Sequence, residues 1–126
     1  MDKNIGIWID HKRAVIVSAS VAGLTTKTLQ SKVDAHHRFS GALEGGGEKK
    51  YEQRRGEQLD RYYDNVLGQL GRPQAVLILG PGEAKLELER RLRRSAVFSD
   101  SVVTGETTDT ITDPQIVAKV KEHFGL

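Results

Sequence analysis

"AVLILGPGEAKLELERRLRRS", residues 75–95, decides the fold class. The first six residues are a short, uninterrupted apolar run, the composition of a strand buried on both faces. Gly80-Pro81-Gly82 then turns the chain. Beyond it Ala84, Leu88 and Leu92 align at helical spacing, with arginines gathered at the far end. A doubly buried strand feeding an amphipathic helix is the unit from which α/β domains are assembled.

The flanking segments extend that unit. "NIGIWID" (4–10) alternates, with Ile5, Ile7 and Ile9 on one face and Gly6, Trp8 and Asp10 on the other. "RAVIVSAS" follows a polar turn, "DHKR", which predicts an antiparallel hairpin. The threonine-rich "LTTKTLQSKV" reads as a third strand. No period is visible from about 34 to 47. Leu59, Tyr62, Tyr63, Val66, Leu67 and Leu70 then fall on one helical stripe, ended by Gly71 and Pro73. Downstream, "SVVTGE" reads as a strand. Asp113 and Pro114 supply an N-cap and a first-turn proline for a last helix with the stripe Ile116, Val117, Val120 and Phe124. The order β-β-β-α-β-α-β-α predicts one domain over 1–126. Its mixed sheet has antiparallel N-terminal strands, an internal "AVLILG" strand, and helices near 49–70, 82–95 and 114–124 packed on it.

Composition bounds the function. The 126 residues carry 37% hydrophobic and 29% charged side chains, ordinary for a globular protein. There is no cysteine, so disulfides and thiolate metal sites are excluded. No run is long enough to span a membrane, and "MDKNIGIWID" lacks the apolar core of a signal peptide, so a cytoplasmic location is expected. The net charge of +2 and pI near 9 tilt towards anionic partners without selecting one.

Several stretches invite a chemical reading. Gly80, Gly82 and Lys85 form a possible anion-binding turn, because free N–H groups at a helix start can hold an anion. The P-loop spacing is absent, and a tight turn with Glu83 complementing the helix dipole is the preferred reading. Asp10 and His11 suggest an acid/base pair or metal ligand, yet no further carboxylate stands at a recognisable spacing and turn chemistry explains "DHKR". His36 and His37 are adjacent, a poor arrangement for one metal, and no metal or cofactor is expected. Arg90, Arg91, Arg93 and Arg94 fit either a nucleic-acid surface or a solvated helix end.

The stretch "LEGGGEKKYEQRRGEQLDRYY" (43–63) is more informative. Three glycines are entropically expensive to order. Around them stand Arg38, Lys49, Lys50, Arg54 and Arg55, while the apolar stripe starts only near Leu59. This predicts a flexible loop over about 36–48 on a helix that projects beyond the core. Glu44, Glu48, Glu52 and Glu57 dilute the charge and argue against a simple DNA-binding arm.

Taken in order, the hairpin, third strand, glycine-rich loop, basic-then-amphipathic helix and "VLILGPGEAKLEL" resemble the middle domain of class I eukaryotic and archaeal release factors and of Pelota. The resemblance spans about Ile5 to Phe124. In release factors the corresponding loop carries a Gly-Gly-Gln motif that enters the peptidyl-transferase centre. Here Gly45-Gly46-Gly47-Glu48 stands in its place, with the motif's glycines matching Gly46 and Gly47. Glu48 replaces the glutamine, and an ionised carboxylate cannot donate an amide hydrogen bond. The resemblance therefore implies a stand-alone, ribosome-reaching relative without release activity, as in Pelota. Its expected partner is the ribosome or structured RNA, met by Gly45, Gly46, Gly47, Glu48, Lys49, Lys50, Arg54, Arg55 and Arg38. Two other classes stay open: an RNA- or tRNA-directed hydrolase using the glycine loop or the Asp10 region, and a protein-interaction module that has lost RNA binding.

Overall fold

The computed structural model describes residues 3–31 and 47–126, with the backbone alone for 47–51. Alternation in the first segment produces β1, Asn4–Ile9. Its three isoleucines enter one apolar core and Trp8 enters a second on the opposite face. β2, Arg13–Ser20, and β3, Gly23–Gln30, follow as antiparallel neighbours. The helix α1, Gly47–Gly68, leads to β4, Ala75–Gly80, which is the "AVLILG" run. Next come α2, Glu83–Arg94, a short 3-10 turn at Ala96–Phe98, β5 at Val102–Thr107, and α3 at Asp113–Phe124.

The sheet order is β3-β2-β1-β4-β5. β4 lies parallel to both β1 and β5 and is therefore internal, as its composition requires. The mixed α/β sheet expected from the sequence is the observed one. The larger core joins Tyr62, Tyr63 and Val66 of α1, Leu70 just beyond its end, and Ala84, Leu88 and Leu92 of α2 to the isoleucines of β1. The smaller core joins Ile116 and Val120 of α3 to Trp8, Val15, Val17, Leu77 and Leu79. Hence α1 and α2 share one face of the sheet, and α3 covers the other. Each fully buried aliphatic side chain contributes about 1.5–3 kcal/mol, so these stripes hold the helices down.

Two local features fix the α3 face. Gly6 must lack a side chain, because a Cβ there would stand 2.2 Å from a Val120 methyl. Trp8 Nε1 donates to Thr108 Oγ1 at 3.1 Å and to the Asp109 carbonyl at 3.2 Å, tying β1 to the loop that enters α3. One expectation needs correction: Asp113 is not the N-cap. Thr112 is, since its hydroxyl accepts from Gln115 N while the Gln115 side chain accepts from Thr112 N, a complete capping box. Asp113 sits in the first turn and pairs with Arg13 at 3.2 Å.

Among the described residues no helix is long and apolar enough to cross a membrane.

Candidate nucleic-acid interface

The predicted tip falls mostly outside what can be described. Arg38, Gly45 and Gly46, like His36 and His37, lie outside the described residues, and so does the expected mobility of all but the end of 36–48. Gly47, Glu48, Lys49 and Lys50 form the first turn of α1, with their side chains likewise outside. Arg54 and Arg55 occupy the next turns. Arg54 is exposed. Arg55 is half-buried, and its Nε is shielded from solvent without a hydrogen-bond partner among the described residues.

The Gly80-Pro81-Gly82 turn is tight. A Cβ on Gly80 would stand 2.4 Å from the Ile9 carbonyl oxygen, so glycine lets β4 close against the end of β1. Gly82 is the N-cap of α2 and offers no capping side chain, while Glu83 supplies the acidic first-turn residue. Lys85 does not reach into the turn's mouth as a free cation. It is buried, and its Nζ lies 3.7 Å from Glu89. Any anion-binding capacity of this turn therefore rests on backbone N–H groups.

Asp10 closes the β1–β2 turn. Its Oδ1 accepts from Lys12 N and Arg13 N, each at 2.8 Å. That is the local aspartate turn expected of "DHKR". The Asp10 carbonyl also accepts from the Tyr62 hydroxyl at 2.9 Å. Among the described residues no three His, Cys, Asp or Glu side chains converge as metal ligands.

The arginines of α2 divide between two faces. Arg93 turns towards β5, where it donates to Glu89 at 3.0 Å and to the Val103 carbonyl at 3.1 Å. Arg90, Arg91 and Arg94 instead line a groove of about 490 Å³ between α1 and α2, with Gly56, Leu59 and Asp60 opposite. Arg91 is fixed there by an ion pair with Asp60 and by its position 5.0 Å over the Tyr63 ring. Burial pushes the Tyr63 phenol above its ordinary pKa. The nearby Glu87 carboxylate pushes it further and Arg91 partly offsets this. Glu87 faces the Tyr63 hydroxyl, yet that hydroxyl completes no hydrogen bond of good geometry. The sequence shows the four arginines as one cluster. The spacing 87, 90, 91, 94 against 89, 93 is the signal that separates the two faces.

A second groove, of about 510 Å³, lies between the end of β3 and α1. Its lining includes Thr28, Gln30, Gln58 and Asn65, and among the described residues Arg61 is its single charged side chain.

No protein-family model matches the chain, and no curated protein matches it in sequence. Solved structures do match. Pelota of Thermoplasma acidophilum aligns over 96% of this chain at 19% identity with a TM-score of 0.57. Pelota of Archaeoglobus fulgidus aligns over 96% at 12% identity with a TM-score of 0.60. An archaeal translation termination factor aligns over 98% at 18% identity, with a TM-score of 0.48 and 40% of its own length covered. The chain spans only 32% and 31% of the two Pelota chains. What it shares with Pelota is thus the fold of a single domain.

Proposed function

We propose that this chain is a ribosome- or RNA-associated protein of the translation-termination or ribosome-rescue type, acting without release chemistry. The observation that carries this reading is the Pelota-domain fold over 96% of the chain. The two neighbours are too distant in sequence to transfer an activity, so the chemistry of this chain must support the rest. Basic residues stand where α1 begins: Lys49, Lys50, Arg54 and Arg55 precede the stripe that packs on the sheet. Lysine and arginine at such a helix start supply phosphate contacts without base specificity. Glu48 stands where a releasing relative would carry glutamine, and its carboxylate is the wrong hydrogen-bonding partner for that task. The Asp10 alternative loses force because Oδ1 already holds the β1–β2 turn.

The test is gradient fractionation of cell extracts containing the tagged protein. Co-migration with ribosomal particles at low salt, lost at high salt, is expected. Tagged protein found only in the soluble top fractions at every salt concentration would overturn the reading.

A further inference from the structure

The α1–α2 groove has no role in the reading above, yet its electrostatics are specific. Arg91 and Asp60 neutralise each other, and Arg91 is further pinned against Tyr63. Glu87, which also lines the groove, faces the buried Tyr63 hydroxyl. Arg90 and Arg94 remain. Both are exposed, and neither makes an ion pair or hydrogen bond among the described residues. They stand one helical turn apart, about 6 Å along the axis of α2. With Glu87 and Asp60 set against Arg90, Arg91 and Arg94, the lining keeps one net positive charge among the described residues, and Arg90 and Arg94 carry the guanidinium groups not paired there. A guanidinium presents a planar fork of donors suited to phosphate oxygens. The fixed Arg91–Tyr63 stack behind them gives that pair a rigid wall.

We propose that the groove between α1 and α2 is a second RNA contact, in which Arg90 and Arg94 hold phosphates of the RNA backbone. This rests on the RNA-associated reading and extends it from the start of α1 to the flank of the molecule. RNA is favoured over an acidic protein surface because its backbone repeats a phosphate that two exposed guanidinium groups one helical turn apart can engage in succession.

The experiment titrates the full chain against a fluorescein-labelled RNA hairpin at several salt concentrations, with polyglutamate as the competing polyanion. The double variant R90Q/R94Q should bind more weakly and flatten the plot of log affinity against log salt by about 1.4–1.8, two contacts' worth. R93Q removes one such charge, one residue from Arg94 but on the β5-facing side, and should keep the wild-type slope. Circular dichroism and thermal melts confirm that each variant is folded. The groove is overturned if R90Q/R94Q keeps the wild-type slope, or if R93Q lowers it as much per charge removed, which would mean general charge rather than a site. It is also overturned if polyglutamate displaces the RNA at equal charge concentration. Each of those results leaves wild-type RNA binding, and so the broader reading, standing. A wild-type chain that binds no RNA at any salt concentration would sink both.

Discussion

Tyr62 and Tyr63 are neighbours whose hydroxyls meet different surroundings. Tyr62 donates to the Asp10 carbonyl and so staples α1 to the β1–β2 turn. Tyr63 is fully buried, with its hydroxyl near Glu87 but unpaired and its ring beneath Arg91. In both, burial is the main cause holding the phenol above the ordinary tyrosine value; for Tyr62 the Asp10 charge adds to it and Arg13 opposes. The sign follows. Above about pH 10 an unfolded chain releases these protons while the folded chain retains them, so the unfolded state binds fewer protons and stability falls as pH rises. Below that pH the contribution is complete. For each such tyrosine the slope approaches about 1.4 kcal/mol per pH unit. Tyr63→Phe should change stability at pH 8 by less than about 1 kcal/mol, because no hydrogen bond is lost. It should also make the decline between pH 10 and 11 shallower. Urea unfolding at the two pH values measures both quantities, and an unchanged alkaline decline would mean that Tyr63 ionises freely in the fold.

At the scale of elements, α3 shows how capping decides where a helix begins. Thr112 and Gln115 satisfy each other's backbone N–H groups, whereas Asp113 makes a half-exposed ion pair with Arg13. Thr112→Ala should therefore cost about 1 kcal/mol. Asp113→Ala should cost less, since exposed pairs and first-turn carboxylates are each worth up to about 1 kcal/mol and commonly a fraction of it. Chemical denaturation of both variants tests the order; a larger loss for Asp113→Ala would return the cap to that residue. The sequence pattern points to Asp113 as the cap, and the reach of Gln115 back to Thr112 N moves it to Thr112. The same logic runs through the fold. Alternation in β1, the apolar run of β4 and the stripes of α1 and α2 are local patterns set by burial, and they survive into the structure. The Arg91–Asp60 pair joins residues 31 apart in the chain, so no local pattern announces it. The division of the arginines is intermediate: helical spacing implies it, but the residues opposite each face come only from packing.

Across the whole molecule, a net charge of +2 matters less than where the charges stand. The apolar stripe of α1 engages the sheet from Leu59 onwards, and of the described side chains before it only Arg55 and Gln58 are half-buried. Charges there can meet a polyanion without disturbing the core. Replacing Lys49, Lys50, Arg54 and Arg55 by alanine should therefore weaken binding to ribosomal particles or structured RNA while changing folding stability little. Each lost phosphate contact should reduce the salt slope by about 0.7–0.9, because each contact releases condensed counterions. The quadruple variant should accordingly bind with a slope flatter by up to four contacts' worth, and its affinity should approach that of wild type only where high salt has already weakened both. Fluorescence anisotropy over a salt series, paired with a thermal melt, separates lost contacts from lost fold. A folded quadruple variant that binds like wild type at every salt concentration would remove the helix start from the interface. The contact would then have to lie elsewhere on the molecule, with Arg90 and Arg94 of the α1–α2 groove the remaining basic candidates.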